Sequence, residues 1–294
     1  MTGPAGRTTT ELTGPPALGP RYAAAAVSAV LPGGRPRELP AREIVRRGVT
    51  VDPGHLADYA RVCGFRVGDA LPLTYPHLLT FPLQVVLMAD RAFPLALPGM
   101  VHIANRITAH RGIATDETLD VQVYAERFGR HPKGARVDLV GIVSAGGEPV
   151  WEGRSTYLAR GARAPSEVTG PGIDEPDAPT GPASALWRVG ADTGRRYAAV
   201  SGDVNPIHLH PLTARATGFP RAIAHGMWTA ARAAASLAGR IPDACTYDVA
   251  FRSPLLLPSR AELVTAPGAG GAWGLAVRSA RKPERVHLTG RIDG

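Results

Sequence analysis

The sequence predicts an α+β fold built from two copies of one unit, each with half-buried antiparallel strands and one apolar helix that protein buries on most sides; a curved sheet wrapped around the helix is one way to bury it. Three observations support this prediction. The two halves of the chain repeat a short pattern, each half holds a helix that is apolar on nearly all sides, and each half holds strands of alternating polarity. With 294 residues, 44% of them hydrophobic, the chain can bury the core of two modest domains or one large one.

The repeat starts at Tyr59, in the run Tyr-Ala-Arg-Val-Cys-Gly, which returns 138 residues later as Tyr-Ala-Ala-Val-Ser-Gly at Tyr197. A second echo joins the Ala-Asn-Arg that begins at Ala104 to the Ala-Phe-Arg that begins at Ala250, at an offset of 146 residues. The interval between the two landmarks is therefore longer in the second half. We interpret the first half as a shortened copy of the second.

The central helix of each half is predicted from an apolar run of about a dozen residues. These runs are Pro82–Phe93 in the first half and Gly226–Ala238, ended by Gly239, in the second. Such helices are too short to cross a bilayer, so we expect protein to bury them on most sides. Nowhere does an apolar run reach the roughly 18 residues typical of a membrane span, and none is predicted.

Strands are predicted where apolar and polar residues alternate, because successive side chains of a strand point to opposite faces of a sheet. The alternation covers residues 119–126 and 137–139 in the first half, and residues 273–277 and 286–292 in the second. These segments are interpreted as half-buried antiparallel strands.

Composition divides the chain into four parts. Residues 1–20 are predicted to be disordered, residues 21–160 to form the first unit, residues 161–185 to be a linker rich in Pro and Gly, and residues 186–294 to form the second unit. The N-terminus shows no secretory pattern, and two cysteines are too few for a disulfide framework. We therefore expect a cytoplasmic protein with buried thiols.

The chain is basic, with a formal net charge of +8, which raises the hypothesis of a nucleic-acid partner. Only Lys133 and Lys282 are lysines among the 33 basic residues, and the arginines are scattered without a basic run, an aromatic-interleaved motif or zinc-finger spacing. We therefore expect no nucleic-acid partner. Arginine matches phosphate in a bidentate way, so a phosphate-bearing ligand fits this composition.

The segment Tyr197–Pro211 carries the strongest chemical signal. It places Asp203 and His208 five residues apart, with Gly202 and Pro206 preventing one continuous helix through both. We predict that a bent loop holds the two side chains at one water, as general acid/base chemistry requires. In the first half Phe65 and Ala70 occupy the corresponding positions, so that half is predicted to be catalytically silent.

Gly226 begins the apolar helix of the second half. The amides of the first helical turn lack carbonyl partners within the helix, and the helix dipole is positive at this end. Such amides can bind an oxygen that gains negative charge during a reaction. An acid/base pair together with this donor is typical of chemistry that passes through an enolate.

Five short motifs follow one another in the second half of the chain. In order, they are Tyr197, a Ser-Gly-Asp that ends at Asp203, an Asn-Pro-Ile-His that ends at His208, a Gly-Phe that ends at Phe219, and an Ala-His-Gly-Met that contains His225. This combination resembles the signature of the MaoC-like, or type-2 enoyl-CoA hydratase, family of hot dog folds. The repeat extends the resemblance to the double hot dog type, two sheets each wrapped around a central apolar helix and packed as a pseudo-dimer.

The resemblance implies that Asp203 and His208 activate a water that adds to a trans-2-enoyl thioester, with dehydration of an (R)-3-hydroxyacyl thioester as the reverse reaction. Gly226 would donate its N–H to the thioester oxygen. Four residues are predicted to bind substrate or shape the site: Tyr197, Asn205, Phe219 and His225. The expected partner is an acyl-CoA or an acyl carrier protein, no cofactor is expected, and two pseudo-dimers could associate as a homodimer.

Three further hypotheses for these residues compete with the hydratase. His210 departs from the usual family pattern, and alternation in a strand could place it beside His208, with Asp203 and His225 completing a zinc site. We prefer His210 as a solvent-facing side chain and predict no metal.

Hot dog proteins also include acyl thioesterases, and a non-catalytic acyl-thioester-binding partner could retain the fold. The intact acid/base motif favours the hydratase over both.

Overall fold

The structure is a computed structural model that describes residues 6–30, 34–168, 172, 173 and 175–294. In chain order the elements are β1 (Thr8–Glu11), α1 (Leu18–Val30), β2 (Arg42–Val49), α2 (Pro53–Cys63), α3 (Pro76–Ala89), β3 (Met100–Ala109), β4 (Leu119–His131), β5 (Gly134–Ala145), β6 (Glu148–Arg160), β7 (Ala185–Val189), α4 (Thr193–Ser201), α5 (Pro206–Leu209), α6 (Pro211–Ala216), α7 (Gly226–Ala235), β8 (Cys245–Phe251), β9 (Ser259–Pro267), β10 (Trp273–Ser279) and β11 (Val286–Asp293). No helix among the described residues has the length and apolar character needed to cross a membrane.

Contacts between Cα atoms divide the chain into two compact units. The first comprises residues 1–51, 76–103 and 116–172, and the second comprises residues 52–75, 104–115 and 173–294. The segment 52–75, which holds α2, therefore belongs to the same unit as the motif around Asp203, although it lies in the first half of the sequence.

The first unit has the strand order β1-β2-β4-β5-β6, antiparallel except for the parallel pair β1 and β2. Helix α3 packs on β2, β4 and β5. It lies so close to β5 that a Cβ at Gly141 of this strand would be 2.7 Å from Cβ of Thr80. Its buried residues are Pro76, His77, Leu78, Thr80, Phe81, Leu83, Gln84, Val85, Val86, Leu87 and Met88. The predicted apolar helix is confirmed, although it starts earlier, at Pro76, because proline suits the first helical turn, and it ends at Ala89 rather than Phe93.

The second unit has the order β3-β8-β11-β10-β9-β7, in which β3 contributes residues 104–109 and all pairs are antiparallel. Helix α7 contacts β10 and β11, and the Tyr247 hydroxyl donates to the Ala230 carbonyl at 3.0 Å. The helix was predicted to extend to Ala238 but ends at Ala235, followed by tight turns in which amides bond three residues back, such as Leu237 N–H to Ala234 O. Among its buried residues are Met227, Trp228, Thr229, Ala230, Ala231, Ala233 and Ala234.

The repeated pattern forms the same local structure twice. Helix α2 ends at Gly64 with φ +85°, and α4 ends at Gly202 with φ +70°, each in the left-handed conformation that glycine adopts without steric penalty. The two glycine amides donate to Ala60 O and Ala198 O, four residues back in each helix. The two copies of the repeated sequence therefore share the same helix and the same glycine turn after it.

The N-terminal segment differs from the expected disorder. Residues 1–5 lie outside the described residues, but Thr8–Glu11 pairs with Arg42–Val45, and a helix starts at Leu18. Backbone pairing along β2 orders a segment whose composition alone predicts none. In the segment predicted as a linker, residues 161–185, the described residues up to 184 lie outside helices and strands, and β7 begins at Ala185. Cys63 and Cys245 are free and buried, also as expected.

Candidate active site

The loop after α4 is fixed by short-range hydrogen bonds. After the turn at Gly202, Asp203 N–H donates to Ser201 Oγ at 3.2 Å, and Asn205 N–H donates to Asp203 Oδ1 at 3.2 Å. The Asp203 carboxylate is 22% exposed, so it is accessible to a small ligand while its backbone is restrained. Asp and Asn stabilise tight turns in this manner, because their side chains bond to nearby backbone amides.

His208 lies in a one-turn helix rather than in the open loop that the sequence predicted. Pro206 takes the first position of α5, and Asn205 caps the helix by accepting from Ile207 N–H at 3.4 Å. Proline blocks the continuation of α4 but favours the start of a new helix, which explains the difference. Asn205 thus shapes this segment through a hydrogen bond, while its contact with substrate stays a prediction.

The His208 imidazole is buried and held in one tautomer. Its Nδ1 lies 2.9 Å from Ile223 O, and a carbonyl can only accept, so Nδ1 carries the proton and Nε2 has a free lone pair. Burial lowers the pKa of His208, although the Asp203 carboxylate and the Ile223 carbonyl oppose the shift. A neutral imidazole with an unprotonated Nε2 is the form that a general base requires.

His225 stacks on His208, with ring centroids 3.6 Å apart and planes at 26°. Its Nε2 donates to Asp203 O at 3.0 Å and lies 3.7 Å from Asp203 Oδ2. Burial lowers the pKa of His225 to about 3, and the neighbouring His208 acts in the same direction. His225 is therefore neutral at physiological pH, and it contacts both members of the predicted acid/base pair.

Gly226 begins α7 directly after His225 and leaves its amide without a carbonyl partner within the helix, since the first such bond runs from Thr229 N–H to His225 O at 3.2 Å. A Cβ at position 226 would lie 2.9 Å from the Phe251 ring. The close ring explains why glycine suits this position, and the open amide is able to donate to a ligand.

The remaining predicted site residues lie at different distances from this group. The Tyr197 ring lies 4.9 Å from that of His225, so Tyr197 is part of the cluster. Phe219 follows α6 and is half-buried. Ring contacts join Tyr197, His208 and His225, and Phe219 takes no part in these contacts. The sequence analysis missed Ile223, which acts through its carbonyl, because a backbone acceptor has no residue signature.

The possible metal ligands differ from those that the sequence suggested. Asp203, His208 and His225 each place a ligand atom within 4.8 Å of the others, as an open three-ligand site would. His210 is not part of the group. It is exposed, as preferred above, and its Nδ1 accepts from Leu212 N–H at 3.2 Å, which caps α6.

Comparisons with known proteins assign the chain to a family. The profile of the family described as MaoC like domain matches residues 174–268. The 3-hydroxyacyl-thioester dehydratase X of Mycobacterium tuberculosis is 42% identical over 273 residues, which are 92% of this chain and 95% of that protein. The chain belongs to the MaoC-like dehydratase family.

Solved structures of MaoC-like dehydratases also match the fold. A crystal structure of HtdX from Mycobacterium tuberculosis has a TM-score of 0.76 and 40% identity, covering 86% of this chain and 100% of that one. Another protein of this organism, described as a double hotdog fold, has a TM-score of 0.51 and 18% identity, covering 84% of this chain and 94% of that one. The predicted α+β double hot dog fold is confirmed.

Proposed function

We propose that this MaoC-like protein hydrates trans-2-enoyl thioesters and dehydrates (R)-3-hydroxyacyl thioesters, in fatty-acid metabolism. The observation that carries the proposal is the neutral His208 imidazole beside Asp203, with its Nδ1 proton committed to Ile223 O at 2.9 Å. This arrangement leaves Nε2 free to take a proton. The name of the 42% identical relative, a 3-hydroxyacyl-thioester dehydratase, supports the same reaction.

In the hydration direction, Asp203 and His208 hold the water, and its oxygen bonds to C3 of the enoyl group. His208 Nε2 takes the proton that leaves the water, while the electrons of the C2=C3 bond shift towards the thioester oxygen. The Gly226 N–H stabilises the charge on that oxygen. His208 Nε2 then donates this proton to C2 as the carbonyl re-forms, which returns the imidazole to its neutral state.

We propose that no metal or redox cofactor takes part, because proton transfer and the Gly226 amide meet the needs of the reaction. Dialysis against a chelator is therefore expected to leave activity unchanged. Activity that falls on dialysis and returns with zinc would contradict this and would assign Asp203, His208 and His225 as ligands.

Free, buried Cys63 and Cys245 suit a reducing compartment, so we also propose a cytoplasmic location.

We propose that the acyl group arrives on a phosphate-bearing carrier, coenzyme A or acyl carrier protein, which contacts an exposed basic surface. Arg188 and Arg260 are direct cross-strand partners on β7 and β9. Like charges in this position destabilise a sheet unless an anion lies between them. The other exposed cations of the basic surface are Arg221, Arg281, Lys282 and Arg285.

The local structure joins these residues. Arg221 donates to Pro258 O at 3.4 Å, and the Ala280 amide donates to Arg260 O at 3.2 Å, which holds the turn 279–285 beside β9. Arg221 is also two residues from Ile223, whose carbonyl orients His208. None of the six cations forms an ion pair in the part of the chain that the structure describes, so they are available to an anionic ligand.

The proposal is tested by mixing the purified protein with trans-2-enoyl-CoA, following the loss of the enoyl absorbance and determining the configuration of the product. The expected outcome is an (R)-3-hydroxyacyl-CoA, with activity nearly abolished in Asp203→Asn and His208→Ala. Release of free thiol would instead assign a thioesterase. No reaction with CoA or carrier-protein substrates would favour a binding role, and light scattering tests the proposed homodimer.

A further inference from the structure

The half of the sequence without an acid/base pair contributes a partly buried hydrogen-bond relay to the catalytic loop. His55 lies in the first turn of α2, and its Nε2 is 2.7 Å from Val200 O, near the C-terminal end of α4. Its Nδ1 is 2.8 Å from the hydroxyl of Tyr75. Both residues belong to the same compact unit as Asp203.

The acceptor fixes the direction of the relay. Val200 O can only accept, so His55 Nε2 carries the proton, and in the neutral imidazole Nδ1 then accepts from the Tyr75 O–H. Tyr75 is 1% exposed, and its ring meets the His55 ring edge to face, with centroids 5.8 Å apart. The His55 side chain is thus held in one tautomer and one orientation.

Val200 O is one of the carbonyls at the end of a helix that have no amide partner within it. It lies one residue before Ser201, whose Oγ accepts from Asp203 N–H at 3.2 Å. His55 thus fixes the end of α4 from which the catalytic loop leaves. A displacement of about 1 Å can lower the rate of a positioned reaction on the order of 100-fold.

We propose that His55, oriented by Tyr75, is a positioning residue for Asp203 in the hydratase reaction. This inference rests on the proposed function. It differs from a purely structural role in what it predicts, because an anchor for the loop should change turnover more than substrate binding or global stability.

The test compares three variants with the wild-type chain. His55→Ala is expected to lower kcat by about 10- to 100-fold with KM within about twofold, because the relay no longer reaches Val200 O. His55→Gln should recover part of the loss, since its side-chain amide can donate to the same carbonyl. Tyr75→Phe removes only the orienting hydroxyl and should give a smaller loss than His55→Ala.

Tyr59→Phe is the matched control. Tyr59 lies on the same helix, and the variant removes a buried hydrogen bond of similar length, 2.7 Å to Thr74 Oγ1, instead of the bond to Val200 O. It should lower Tm and leave kcat within about twofold. Wild-type kcat in His55→Ala, or an equal loss of kcat in Tyr59→Phe, would overturn the inference.

Hydrogen exchange of the segment 202–208 provides a readout that does not depend on activity. His55→Ala is expected to increase exchange there, and Tyr59→Phe is not. If the wild-type chain turned over no thioester, the proposed function would fail, while this measurement would still decide whether His55 orders the loop. Unchanged exchange in His55→Ala would overturn the inference.

Discussion

At the scale of single residues, the site depends on two imidazoles that remain neutral while stacked. Protonation of both would place two positive charges on rings 3.6 Å apart in a buried environment. Burial lowers the pKa values of His208 and His225, the latter to about 3. The Asp203 carboxylate opposes the shift at both residues, but desolvation is the larger effect.

These shifts predict a protein that loses stability in mild acid. Between pH 6.5 and about 3 the unfolded chain binds a proton at position 225 that the folded chain does not. The free energy of unfolding should therefore fall as pH drops below 6.5, by up to roughly 1.4 kcal/mol per pH unit for each such histidine. Urea unfolding at pH 7, 6 and 5 measures the slope.

His225→Gln provides the comparison, because glutamine cannot titrate in this range. The variant should be less stable at pH 7, where the stacked ring is lost, but its stability should depend less steeply on pH. Equal slopes for the variant and the wild-type chain would show that His225 is not protonated on unfolding, contrary to the lowered pKa.

Gly226 yields a second prediction at this scale. Gly226→Ala places a methyl group 2.9 Å from the Phe251 ring, so the amide at the start of α7 must shift or the ring must move. We expect a loss of kcat of about 10- to 100-fold, since loss of a single oxyanion donor lowers kcat on the order of 100- to 1,000-fold and this variant displaces the amide rather than removing it.

The double variant Gly226→Ala/Phe251→Leu tests the cause. The smaller side chain at position 251 should give the methyl group room and restore most of the lost turnover. If activity stays low in the double variant while folding is intact, the methyl group obstructs the substrate itself, and displacement of the amide is not the explanation.

At the scale of elements, the repeated end of the helix before the loop sets the direction of the catalytic segment. Gly202 has φ +70°, a conformation that costs other residues roughly 1–2 kcal/mol, with asparagine a partial exception. Gly202→Ala should therefore destabilise the protein by about that amount and lower kcat as well. Gly202→Asn should retain more of both, as judged by urea unfolding and the enoyl-CoA assay.

The sequence predicted elements whose signal is local. The alternating strands and the two apolar helices follow from side-chain periodicity, and Gly202 with Pro206 predicted that no continuous helix runs through the catalytic segment. It did not predict β1, because the ordering of Thr8–Glu11 depends on pairing with residues 42–45. The His55 relay was missed for a similar reason, since its acceptor is a backbone carbonyl 145 residues away.

The candidate site shows the same limit. The motif indicated Asp203, His208 and Gly226 as a group, and the roles of these residues stay predictions. Their surroundings could not be predicted: the stack of His225 on His208 requires the start of α7 to lie beside α5, a tertiary contact. The alternation that suggested His210 as a ligand failed because Pro206 starts a helix there, which changes the periodicity from two to 3.6 residues.

At the scale of the whole molecule, part of the positive charge behind the net charge of +8 lies on the basic surface. Most described ion pairs join arginines to nearby carboxylates, as Arg106 joins Asp248 at 2.6 Å. The six cations of the basic surface have no such partner among the described residues. Three of them lie in the turn 279–285, where Glu284 is the one acidic residue. A phosphate-bearing substrate would therefore experience this surface as an attractive field, which screening by salt weakens.

Charge reversal tests this interpretation. Arg188→Glu and Arg260→Glu should each raise KM for enoyl-CoA several-fold at low ionic strength with little change in kcat, because they act on binding and lie outside the acid/base pair. The difference from the wild-type chain should shrink as salt approaches about 1 M, where the screening length is about 3 Å. Arg160→Glu, an equal change of net charge on an exposed residue at the end of β6, is the matched control and should leave KM close to the wild-type value. An increase in KM that is equal in all three variants would show that total charge, rather than the basic surface, attracts the substrate.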